Sequence, residues 1–169
     1  MSTPPDVRAD LEEVFRGAYR RVVAVAARVL GSGDEAEDVA QEVFLRFGRS
    51  AVPGGEAVGW LCVAAAHTAL NHLRTGRRRA SREEAAGGER GAAPDVADAV
   101  VTREERRRVR AALARLPRRQ AVALVLRHSG FSYAEVAAAL ELSPSSVGTT
   151  VRRAESALRE ELNRHAASD

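Results

Sequence analysis

A chain of 169 residues with 26 arginines, no lysine and 23 acids has a formal charge of only +3, so what matters is how the charge is distributed. Its single cysteine excludes an intrachain disulfide and a cysteine-cluster metal site, and no apolar run approaches the ~18 residues that a membrane span needs. Aromatics supply 4% of the residues, so the core must be built from Ala, Val and Leu, which favours packed helices over sheets.

The stretch Met1 to Glu13 lacks the charged-then-apolar layout of a secretory signal, and a cytoplasmic protein is expected. Leu11, Val14, Phe15, Ala18, Tyr19, Val22, Val25, Ala26, Val29 and Leu30 recur at three- and four-residue spacing, one amphipathic helix of about five turns. Gly31 is its expected left-handed end, and Ser32 three before Glu35 opens a second helix with Ala36, Val39, Ala40, Val43, Phe44 and Phe47 on one face. Val52-Pro53-Gly54-Gly55 breaks that helix. A third helix, from about Glu56 to Thr75, carries Trp60, Leu61, Ala64, Ala65, Thr68 and Leu73.

Residues 76–99 are rich in Gly, Ala and Arg, with Val96 the one large apolar side chain, and read as a flexible linker that buries too little to offset its ordering entropy. The expected fold is therefore all-α, with two small helical domains, 1–75 and 100–169, joined by that linker. In the second, a helix from near Val100 through Leu113 stops before Pro117, and Arg118 to His128 forms the next. Ser132 with Glu135 caps another, and Ser143 caps the last, with Pro144 at its first position. The turn between these two, Glu141-Leu142-Ser143, makes a helix-turn-helix, the device that lays one helix in the DNA major groove. Ala134, Val136, Ala137, Leu140, Leu142, Val147 and Val151 are its expected interior. Ser145, Ser146, Thr149, Thr150, Arg152 and Arg153 are left outward, where hydroxyls and guanidinia suit phosphates and base edges.

Five arginines without an acid between Arg74 and Arg82, and eight against two glutamates between Arg103 and Arg119, fit a polyanion partner or, more plainly, solvated helix faces. Phe44, Leu45 and Phe47 crowd more apolar bulk into one short stretch than a single stripe needs, and an exposed remainder can dock a partner helix. Trp60 is either a core residue or a stacking platform ahead of the basic end at Arg74, Arg77, Arg78 and Arg79. The four histidines lack HExxH-type spacing, and there is no GxSxG, phosphate loop or paired His and carboxylate. No enzyme, metal site or cofactor is expected.

Three segments, in order, resemble the extracytoplasmic-function sigma factors, the two-domain specificity subunits of bacterial RNA polymerase. GDEAEDVAQEVFLRF resembles the region-two helix that docks on the polymerase clamp, and GWLCVAAAHTALNHLRTGRRR the adjoining promoter-melting and minus-ten helix. LPRRQAVALVLRHSGFSYAEVAAALELSPSSVGTTVRRAESALREEL resembles region four, which reads the minus-thirty-five element. The resemblance implies core RNA polymerase and promoter DNA as partners, an anti-sigma factor being common in that family. It implies polymerase contact by Asp38, Gln41, Glu42, Phe44 and Leu45. Trp60, His67, Asn71, Arg74, Arg77 and Arg78 would lie at the minus-ten element, and the six outward residues of the last helix at the minus-thirty-five element. The linker would thread toward the active-centre cleft and the RNA exit path.

The family commonly has WLYRIARN where this chain has Val63 and His67 at the Arg and Asn positions, and a basic pair where Gly148 and Thr150 stand. The expected function is promoter selection by a polymerase subunit. The rival readings are a stand-alone helix-turn-helix regulator, for which no dimerisation helix is evident, and a degenerate sigma-like module that binds a protein partner.

Overall fold

The computed structural model describes residues 7–84 and 97–168. Among these there are seven α-helices, one 3-10 turn and no strand.

In α1 (Leu11–Leu30) the expected stripe turns inward, burying Ala18, Val22, Val25, Ala26 and Val29. It ends at Gly31, whose φ of 71° lets its N–H reach the carbonyl of Ala27 at 2.7 Å, a turn costly for any residue with a Cβ. Ser32 then caps α2 (Gly33–Gly48) by accepting from the Glu35 N–H at 3.4 Å. Val39, Val43, Phe44 and Phe47 are its large buried side chains. After the 3-10 turn Gly54–Glu56, α3 (Ala57–Glu84) lays Leu61, Cys62, Ala65, Ala66, Ala69 and Leu70 against α1 and α2. Alanines dominate this face, so the helices approach closely. Cys62 is fully buried, and burial pushes its thiol up to about 11, which makes it an inert core group.

The third helix continues to Glu84, beyond its expected end at Thr75. The stretch after Thr75 is mostly Arg, Ala and Glu, good helix formers without a large apolar residue among them, so helical propensity and the apolar pattern part company there. The part of the expected flexible linker that spans 85–96 lies outside the described residues.

The C-terminal half comprises α4 (Ala97–Arg115), α5 (Arg118–His128), α6 (Tyr133–Leu140) and α7 (Pro144–Ala166). Pro117 separates α4 from α5 as expected, and Ala121 through Leu126 are buried without interruption. An unbroken run of this kind is a central helix, covered here by α7, α6 and α3.

The two halves touch. α3 packs on α5 and α6, and α1 on α5, so the buried residues of both halves form one contiguous cluster. The seam between α3 and α6 is tight, for a Cβ added to Gly59 would stand 3.4 Å from the Cβ of Ala139. Arg21 of α1 lies over the Phe131 ring at 4.1 Å and reaches Glu135 at 3.5 Å.

Candidate nucleic-acid interface

The helix-turn-helix is closed by local chemistry. Ser132 and Glu135 form a reciprocal capping box at the start of α6, with bonds of 3.1 and 3.0 Å. Glu141 adopts φ 55°, the one non-glycine residue with positive φ among those described, and Leu142 N–H donates to the Ala137 carbonyl at 2.9 Å. That reversal sends the chain into α7, where Pro144 occupies the first turn and Ser143 holds the N-cap position, but its hydroxyl meets those of Ser145 and Ser146 instead of capping a backbone N–H. Val136, Ala137, Val147, Val151 and Ala154 are buried, and Leu140 and Leu142 half-buried. Ala134, expected in the interior, is exposed, because α6 needs only one narrow face inside and small alanines carry little preference.

On α7 the side chains of Ser145, Thr149, Arg152 and Arg153 are exposed, and Ser146 and Thr150 are half-buried. The Thr150 hydroxyl donates to the Ser146 carbonyl at 2.9 Å, and Ser146 and Ser143 hydroxyls lie 2.6 Å apart. The Ser145 hydroxyl also lies 3.2 Å from that of Ser143, so Ser145 is exposed but locally bonded, whereas Thr149 and the two arginines are exposed without a side-chain partner among the described residues. A shallow recess of about 400 Å³ runs along Thr149, Arg152, Arg153 and Ser156 to Gln120 on α5. The Gln120 side-chain oxygen is buried there without a hydrogen-bond partner. No sequence pattern singles out Gln120, since only the fold carries the first turn of α5 to α7.

On α3 the residues expected at the minus-ten element are engaged within the chain. Trp60 is half-buried, with its ring 5.8 Å from Phe47 and the Arg46 guanidinium 5.9 Å above it. It is a partial core residue, not a free stacking platform. Arg118 donates to Asn71 Oδ1 and lies 3.3 Å from His67 Nδ1. A guanidinium can only donate, so Nδ1 is the bare nitrogen of a neutral ring. Burial first, and then the charges of Arg118 and Arg46, hold His67 below the usual histidine range. Arg74 donates to the carbonyls of Ala114 and Leu116, at 2.9 and 3.1 Å, where α4 ends. His67, Asn71 and Arg74 thus meet on one face of α3, against the junction of α4 and α5. Arg77 and Arg78 continue α3, and their side chains lie outside the described residues.

On α2, Asp38, Gln41, Glu42 and Leu45 share one exposed stripe, and Leu45 is 73% exposed. Phe44, expected beside them, is 4% exposed and packs edge-on against Phe15 at 5.0 Å with Tyr19 at 6.2 Å. The apolar crowding is therefore resolved by depth, with Phe44 and Phe47 inside and Leu45 outside. Phe15, 40% exposed, extends the apolar surface on α1, where spacing alone places it only in the helix stripe.

The Sigma-70 region 2 profile matches residues 14–79, and the Sigma-70, region 4 profile matches residues 106–158. The ECF RNA polymerase sigma factor SigK of Mycobacterium ulcerans is 31% identical over 183 aligned positions, covering 94% of this chain and 97% of that protein. The chain belongs to the extracytoplasmic-function sigma factors.

The RNA polymerase sigma factor CarQ of Myxococcus xanthus is 33% identical over 158 positions, covering 89% of this sigma factor and 88% of CarQ. The solved structure of the sigma factor RpoE in complex with the anti-sigma factor NepR from Bartonella quintana superposes with a TM-score of 0.54 at 21% identity, covering 92% and 98% of the two chains. At that identity the likeness is one of fold, and it bears out the all-helical, two-domain architecture. The sigma factor binds core RNA polymerase and promoter DNA and directs the polymerase to promoters, a family of binding proteins and not enzymes. Among the described residues no helix is long and apolar enough to cross a membrane.

Proposed function

We propose that this sigma factor works in the cytoplasm by binding alone, with residues 1–75 as the polymerase and minus-ten module, 100–169 as the minus-thirty-five module, and 76–99 as their connection. Asp38, Gln41, Glu42 and Leu45 meet the polymerase clamp, with Phe44 supporting the stripe from beneath. His67, Asn71 and Arg74, backed by Trp60 and continued by Arg77 and Arg78, contact the melted minus-ten strand. Ser145, Ser146, Thr149, Thr150, Arg152 and Arg153 face the minus-thirty-five duplex, with Arg152 and Arg153 on phosphates or guanine edges.

The observation that carries this reading is the open row of Ser145, Thr149, Arg152 and Arg153 on the helix that follows a three-residue turn. Each half offers few contacts, so linkage on one polymerase supplies the effective concentration that neither half has alone. Because His67, Asn71 and Arg74 already bond the α4–α5 junction, engagement of the minus-ten strand requires the halves to part. The test is gel filtration with bacterial core RNA polymerase, followed by transcription from genomic fragments of the source organism. Co-elution with discrete new transcripts is expected. Absence of co-elution by the folded, inhibitor-free protein overturns the residue assignments on α2.

A further inference from the structure

We propose that the cleft between the C-terminal end of α1 and the middle of α4 is a binding site for a compact polyphosphate anion. The cleft has a volume of about 1020 Å³ and is lined by Arg28, Arg103, Arg106 and Arg110, with Glu105 the one acid among its walls. Several arginines outside the cleft are paired, Arg16 with Glu12, Arg21 with Glu135, Arg108 with Glu104 and Arg115 with Glu161, and Arg103 on the cleft wall is itself engaged within the chain. Among the described residues no carboxylate engages Arg28, Arg106 or Arg110. Arg28 has an ordinary explanation, since it sits in the last turn of α1 where the helix dipole favours a cation. Arg106 and Arg110 have no such excuse, for both lie inside α4.

Arg110 is the sharper case. It is half-buried and its guanidinium lies so close over Gly31 that a Cβ there would stand 2.5 Å from it. Burial, and then the neighbouring charge of Arg106, hold it below the ordinary arginine value. A half-buried cation beside a second cation, with no carboxylate in ion-pair contact, is a cost that a multivalent anion removes. Guanidinium forks match phosphate oxygens in pairs, and two or three converging forks suit a chain of phosphates.

The walls argue for a small anion over a docking helix. Ala24, Ala27 and Gly31 keep the α1 side shallow, and Val109 is the one large aliphatic side chain at the cleft, so a protein helix would find little apolar area to bury. The outward DNA-facing row is on α7, on a different element from either wall.

The experiment is calorimetric titration of the full chain with inorganic tripolyphosphate at low salt, with a heptaglutamate peptide and a mixed-sequence duplex as competing probes. Saturable binding of one tripolyphosphate is expected, weakened by about tenfold or more in Arg106→Gln and in Arg110→Gln and unchanged in Arg152→Ala. Arg106 is exposed, so Arg106→Gln keeps the fold, which circular dichroism verifies. The proposal is overturned if tripolyphosphate gives no saturable binding, or binds Arg106→Gln and Arg110→Gln as well as it binds the parent. It is equally overturned if those two variants lose only duplex or only heptaglutamate binding, which would make the cleft a nucleic-acid or protein contact. None of these outcomes depends on the polymerase.

Discussion

Arg118 and His67 are 51 residues apart in sequence and 3.3 Å apart in the fold, and the same guanidinium also holds Asn71. The contact joins a residue of the C-terminal half to two residues proposed to read the minus-ten strand. Replacing Arg118 by Ala should therefore raise the affinity of the free sigma factor for single-stranded promoter DNA, measured by fluorescence anisotropy. The cost in stability should stay under about 1 kcal/mol, as for other partly exposed polar contacts. Unchanged or weaker DNA binding would mean that this contact does not shield the α3 face.

The same contact gives a pH dependence with a definite sign. His67 is held below its ordinary value in the fold, so the unfolded chain binds its proton more readily. Stability present above the usual histidine range is then lost as pH falls through that range and toward the depressed folded value. Melting curves between neutral and mildly acidic pH should show this loss, and His67→Gln should reduce it. Nuclear magnetic resonance titration of His67 in Arg118→Ala should show its midpoint move upward.

Phe44 and Leu45 are neighbours with opposite exposure. Phe44→Ala removes a buried ring from the Phe15 and Tyr19 cluster and should cost about 3–5 kcal/mol, visible as a lowered Tm. Leu45→Ala should change stability by no more than about 0.5 kcal/mol and yet weaken co-elution with core polymerase. If Leu45→Ala elutes with polymerase as the parent does, the α2 stripe is not the docking surface.

Helical periodicity sufficed for α1, α2 and the caps at Ser32 and Ser132, because those elements are set by local spacing and one or two hydrogen bonds. The helix-turn-helix was equally legible from Ser132, Glu135, Pro144 and the intervening turn. Three features were not. The extension of α3 depends on the helix propensity of its Arg, Ala and Glu residues, which an apolar pattern does not register. The depth of Phe44 depends on Phe15 from another helix, and the hold of Arg118 on α3 on how two halves meet; both are decided by tertiary packing, to which a single-sequence pattern is blind.

Arg152 and Arg153 stand open on α7. Arg152→Ala or Arg153→Ala should weaken duplex binding at all sequences and lower the slope of log K against log salt by about 1 for each phosphate no longer neutralised. A slope unchanged in both variants would remove these residues from the phosphate-binding set.

Gly148 lies inside α7 where a Cβ would meet Tyr133 and Arg152 at 3.9 Å, an ordinary separation. Gly148→Ala should then stabilise the sigma factor by up to about 1 kcal/mol through helix propensity, read from thermal melts. Duplex binding measured alongside shows whether the bare backbone at this position serves close approach to DNA.

The bare Cα at Gly59 leaves α3 only just clear of Ala139 on α6. A methyl group fits that gap; any longer side chain acts as a wedge. If the two halves part on the polymerase as proposed, this position, on neither α2 nor α7, governs how readily they do so.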